Sequence, residues 1–88
     1  MNNANAGEDT GIGTTNQIID KMEQNENERI GRRIAELRKE RGLTQMQLAQ
    51  KVGMFSNNLS RIESGKHAIS ITALAKIAKA LDVKIELI

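Results

Sequence analysis

Gly42-Leu43-Thr44-Gln45-Met46-Gln47-Leu48-Ala49-Gln50-Lys51-Val52-Gly53-Met54-Phe55-Ser56-Asn57-Asn58-Leu59-Ser60-Arg61-Ile62-Glu63-Ser64-Gly65-Lys66 is the stretch that decides the fold of this 88-residue chain. Thr44 is placed to cap a short helix whose apolar stripe is Leu48, Ala49 and Val52. Gly53 then supplies the backbone freedom for an immediate turn. Beyond it Leu59 and Ile62 give the apolar side of a second short helix, which Ser64-Gly65 stops. Two helices cross near a right angle over so tight a turn only if a small side chain sits where they touch, and Ala49 meets that need. Gln45, Ala49, Gly53, Leu59 and Ile62 are each common residues; together at this spacing they are specific.

Working outward, Ile30, Ile34 and Leu37 recur at i, i+4 and i+7 in a helix that begins near Glu28, with Arg29, Arg32, Arg33, Arg38 and Lys39 on other faces and Gly42 at its end. On the other side Ser70 caps a closing helix in which Ile71, Leu74, Ile77, Ala78 and Leu81 line one face and Lys76 and Lys79 the other. After Asp82 the period changes to two, because Val83, Ile85 and Leu87 alternate with Lys84 and Glu86. The pattern predicts a terminal strand. No other segment has a clear strand pattern, so its expected partner is the same segment of a second molecule, with Val83, Ile85 and Leu87 at the seam of a homodimer. The alternative is that residues 82–88 fold back on their own domain or fray.

The expected architecture is mainly α: an acidic, Asn-rich leader over residues 1–27, a compact four-to-five-helix domain over 28–81, and a short C-terminal β-strand over 82–88. Met1–Thr14 has too few large aliphatic residues to offset the entropy of ordering and reads as disordered. From Thr15, Ile18, Ile19 and Met22 fall at helical spacing; a short helix through about Gln24 and a frayed polar leader fit this equally.

Charge divides along the same line. Met1–Glu28 has one base against six acids, a net −5, while Arg29–Ile88 has twelve bases against five acids, a net +7. A basic domain beside an acidic arm suits a polyanion such as nucleic acid, although many basic surfaces are only solvated. No Cys is present, so a disulfide framework, a thiolate nucleophile and a Cys-based zinc site are excluded. No apolar run approaches the roughly 20 residues that span a bilayer, and the expected location is the cytoplasm.

The stretch from Ile30 to Leu81 resembles the phage-repressor and Cro type of helix-turn-helix, the XRE family, whose five-helix members have wording close to G-L-T-Q-x-x-L-A-x-x-x-G and I-x-x-x-E-x-G. The resemblance implies a lambda-repressor-like DNA-binding domain that places the second helix of the motif, here Phe55–Ser64, in the major groove. It also implies that Arg38 pairs internally with Glu63 and that Lys66 lies at a DNA-facing turn. Three positions depart from the family's habit. Phe55 stands where Ser or Thr is usual, Ile69 where Pro is frequent, and residues 82–88 read as a strand in place of a fifth helix.

In that frame Ser56, Asn57, Asn58, Ser60 and Arg61 are the base-reading candidates, since Arg pairs bidentately with guanine and Asn with adenine. Phe55 has two readings, one against thymine methyls and one tucked beside the core as the chain's sole aromatic residue. Thr44, Gln45 and Lys66 are the phosphate candidates, with Arg33 and Lys51 weaker. The expected function is a transcriptional repressor bound to a palindromic double-stranded operator as a homodimer. The rival is an antitoxin that also grips a protein toxin. No cofactor, metal or membrane partner is expected; with no Cys, no Tyr and one exposed-looking His67, no nucleophile-base pair or metal cluster is visible, which argues against an enzyme.

Overall fold

The computed structural model describes the backbone of residues 11–86 and the side chains of residues 21–86. Its helices follow in the order α1 (Gly11–Glu40), α2 (Gln45–Val52), α3 (Ser56–Glu63) and α4 (Ile71–Ala80). Thr44 caps α2 through a reciprocal pair: its Oγ1 accepts from the Gln47 N–H at 3.0 Å while its own N–H donates to Gln47 Oε1 at 2.8 Å. At the far end Gly53 takes φ +72°, and the Met54 N–H closes on the Ala49 carbonyl at 3.0 Å. Three residues then separate α2 from α3. Ser70 Oγ accepts from the Ala73 N–H at 3.1 Å and starts α4.

The core is one cluster drawn from all four helices: Ile34 and Leu37 of α1, Leu48, Ala49 and Val52 of α2, Leu59 and Ile62 of α3, and Ile77 with the following Leu81 at the end of α4. Ile30, Leu43, Met54, Ile69, Leu74, Ala80 and Val83 pack around it, half-buried. Ile71 does not join. It is the first residue of α4 and 83% exposed, so the helix's apolar stripe begins one turn later, at Leu74.

The leader departs from its expected organisation. The short leader helix and the domain's first helix are one helix, which runs through the expected boundary at residues 27 and 28 and already includes Gly11–Thr14. Gln24-Asn25-Glu26-Asn27-Glu28 contains neither Gly nor Pro to interrupt it, and local pairs carry the helix across. Gln24 Nε2 donates to Glu28 Oε2 at 3.2 Å, and Arg29 Nη2 lies 2.9 Å from Glu26 Oε2. The hydrogen bond from Arg29 holds the exposed Glu26 carboxyl below its ordinary pKa and raises that of Arg29 in turn. Residues 1–10 lie outside the described residues.

The tail does not form the strand that its alternation predicts. Among the described residues there is no strand, and Val83–Glu86 is irregular after the Leu81–Asp82 turn that ends α4. Asp82 adopts φ +58°, and the Val83 N–H donates back to the Ala78 carbonyl at 2.9 Å. The first residue expected to pair in a ladder thus completes a helix cap, and its side chain rests on the core. Ile85 is exposed, and Leu87 lies outside the described residues. A strand needs a neighbouring edge, which no described segment offers. The domain therefore has four helices among the described residues, with neither a fifth helix nor the expected strand.

Gly31 explains how α1 approaches α3. It is buried in mid-helix, and a Cβ there would overlap the Ile62 carbonyl oxygen and stand 2.8 Å from that of Glu63. Helix α1 therefore passes the C-terminal end of α3 at a distance that only glycine permits.

Candidate nucleic-acid interface

Two short helices carry the candidate site, and a buried polar network fixes the angle between them. Arg38 of α1 donates from Nε to Glu63 Oε2 at 2.7 Å, from Nη2 to Glu63 Oε1 at 3.1 Å, and from Nη1 to the Leu43 carbonyl at 2.7 Å. Gln45 Nε2 of α2 adds a bond to Glu63 Oε1 at 2.9 Å. The Arg38 and Glu63 side chains are only 10% and 6% exposed, so a fork-shaped cation and a carboxylate with several donors satisfy one another away from water. The internal pairing inferred from the resemblance is in place. It also engages Gln45, one of the residues expected at phosphate: one amide hydrogen is held by Glu63, and the side chain is half-buried.

At the crossing, Ala49 and Leu59 are buried with Leu48 and Ile62, as the spacing predicts. The opposite side of α3 is open. Asn57, Asn58, Ser60 and Arg61 are exposed and Ser56 is half-buried. Phe55 is 80% exposed and is no part of the core, which removes the reading that tucks it there. It occupies the N-cap of α3 without any side-chain cap, so the first turn of that helix starts from a bare aromatic edge.

The turn after α3 holds the exposed Lys66. Gly65 takes φ +80°, and the Lys66 and His67 N–H groups both close on the Arg61 carbonyl, at 2.9 and 3.3 Å. Among the described residues Arg61, Lys66 and Lys51 enter no ion pair, whereas Arg33 faces Glu36 at 3.2 Å and Glu40 at 4.0 Å. Arg33 is thus matched by acids of its own helix. Thr44 keeps its hydroxyl hydrogen, because as a cap the oxygen only accepts.

Two contacts were not foreseen. Gly31 leaves a signal, since a glycine inside a helical pattern is unfavourable by about 1 kcal/mol and so points to a close approach. Gln24 leaves none: its Nε2 donates to the Gly65 carbonyl, 3.2 Å away and 41 residues on, and nothing in a Gln/Asn/Glu run advertises such a partner.

The helix-turn-helix family model matches residues 34–88. The chain belongs to that family. Within that family it is similar to the immunity repressor of Bacillus phage phi105, with 39% identity over 59 residues that make up 67% of this chain and 41% of the phage protein. An HTH-type transcriptional regulator of Rickettsia conorii is 35% identical over 75 residues, 85% of this chain and 57% of that protein. The crystal structure of the restriction-modification controller protein C.AhdI from Aeromonas hydrophila superposes with a TM-score of 0.65 at 32% identity, covering 67% of this chain and 89% of that one. The chain spans between about two-fifths and three-fifths of the phage and rickettsial relatives. No helix among the described residues is long and apolar enough to cross a membrane.

Proposed function

We propose that the chain is a sequence-specific repressor that inserts α3 into the major groove of double-stranded DNA. The observation that carries this reading is the contrast between the two cationic sets of the domain. Arg38 is buried and paired with Glu63, while Arg61 stands exposed on α3 and, among the described residues, enters no ion pair. A rigid helix that presents an unpaired guanidinium flanked by Asn57, Asn58 and Ser60 has the donors and acceptors that read base edges. Phe55, exposed at the leading end of the same helix, offers an apolar surface for thymine methyls. Lys66, the Thr44 hydroxyl and the remaining Gln45 amide hydrogen flank α3 as phosphate contacts. The phage phi105 relative is by name a repressor, and the regulatory sign proposed here follows it.

We read the working form as a homodimer. The support is a groove of about 300 Å³ between α1, α4 and the tail, lined by Ile30, Leu74, Val83 and Ile85 and rimmed by Arg29, Arg33 and Glu86. The seam there is side-chain packing around Val83 and Ile85. Two copies related by a two-fold axis bring two α3 helices to successive major grooves, about 34 Å apart. No observation favours the antitoxin alternative. Selection of binding sites from random duplexes, followed by guanine-N7 methylation protection, tests both parts. The expected result is a palindrome with half-sites about one helical turn apart and major-groove protection in each. Recovery of no common sequence would contradict the reading.

A further inference from the structure

The α1 segment that precedes residue 34 lies outside the family match, yet it is bonded to the turn that carries Lys66. Gln24 Nε2 bridges two acceptors, the Glu28 carboxylate and the Gly65 carbonyl, each at 3.2 Å. Gly65 is buried under Glu28 so closely that a Cβ on it would stand 2.9 Å from Glu28 Cα and 2.6 Å from Cγ. One turn of α1 further on, Gly31 meets the Ile62 and Glu63 carbonyls. On the N-terminal side, Met22, Glu23, Glu26 and Asn27 border a depression against Ala68. The turn's own backbone bonds are all local, from the Gly65 N–H to the Ile62 carbonyl and from the Lys66 and His67 N–H groups to the Arg61 carbonyl, and loops held by local bonds alone open readily. Helix α1 thus supplies the long-range hold on the residue that precedes Lys66.

We infer that residues 24–31 of α1 are a positioning element for DNA binding, in which the Gln24 amide holds the Gly65–Lys66 turn at the phosphate backbone. This rests on the reading of Lys66 as a phosphate contact. Gln24 touches no DNA in this account; it acts through the placement of Lys66. A single neutral hydrogen bond of this kind changes an equilibrium by about three- to ten-fold.

The test is a double-mutant cycle on the full chain, with Gln24→Met to remove the donor at nearly constant length and without a charge change. Affinities for a selected site and for a random duplex are measured well below the melting temperature, with helicity checked by circular dichroism. Gln24→Met is expected to weaken both by about three- to ten-fold. Lys66→Ala is expected to weaken both as well, and the pair together to lose no more than Lys66→Ala alone within about twofold. Amide exchange at Lys66 and His67 should accelerate in Gln24→Met. Additive losses, or unchanged affinity and exchange in Gln24→Met, would overturn the inference while leaving Lys66 at the phosphate. If Lys66→Ala binds like the parent, the phosphate reading of Lys66 fails and the inference falls with it.

Discussion

Gln45 and Arg38 hold the same carboxylate: Gln45 Nε2 reaches Glu63 Oε1 at 2.9 Å, and Arg38 grips both oxygens of Glu63 from the side of α1. The start of α2, the end of α3 and the C-terminal turn of α1 are thereby locked on one buried anion. Apolar packing alone is non-directional; this charge-assisted network adds the geometry that aims the exposed face of α3.

Removing the carboxylate should therefore be severe. Glu63→Ala leaves the Arg38 guanidinium buried with only the Leu43 carbonyl as a partner, and breaking a buried pair in this way costs about 3–5 kcal/mol. Each 1 kcal/mol shifts the midpoint of a domain this size by about 4–8 °C. Thermal and urea denaturation measure it. A midpoint within error of the parent would mean that the pair is not buried in solution.

Gly31→Ala separates two physical effects of opposite sign. Helix propensity alone predicts stabilisation by about 1 kcal/mol. The contact with the Ile62 and Glu63 carbonyls predicts the reverse, because both neighbours are backbone and cannot rotate away; overpacking of this sort costs about 1–3 kcal/mol. A more stable variant in urea denaturation would refute the close passage of α1 over α3.

Phe55→Ser divides stability from binding. The aromatic ring is exposed and leaves α3 without a side-chain cap, whereas Ser at an N-cap stabilises by about 0.5–2 kcal/mol relative to a residue that cannot cap. The variant should melt higher and bind its selected site more weakly. Loss of stability would place the ring in the core after all, and unchanged site affinity would remove it from the base-reading set.

Much of this architecture is legible in the chain because its signals are local. Thr44, Gly53 and Ser70 mark helix ends by capping chemistry, and Ala49 marks the crossing by its size. The missed features are those that depend on distant partners or on missing breakers. The continuity of α1 rests on the lack of Gly and Pro between Gln24 and Glu28, which periodicity alone does not register. The bond from Gln24 to Gly65 joins two polar groups with no pattern in common. The tail alternates like a strand, yet Asp82 turns it into the cap of α4, and alternation says nothing about whether a partner edge exists. Ile71 fits the stripe of α4 by phase but sits a turn ahead of its packing partners.

Base reading by α3 rests on Arg61, which is exposed and enters no ion pair among the described residues. The most direct measurement is the affinity of Arg61→Ala for the selected site and for a random duplex of equal length at one fixed salt concentration. A base contact predicts a loss of about 1–3 kcal/mol on the selected site with binding to the random duplex nearly intact, so that the specificity ratio collapses. Equal losses on both duplexes would place Arg61 at the phosphate backbone and contradict the account.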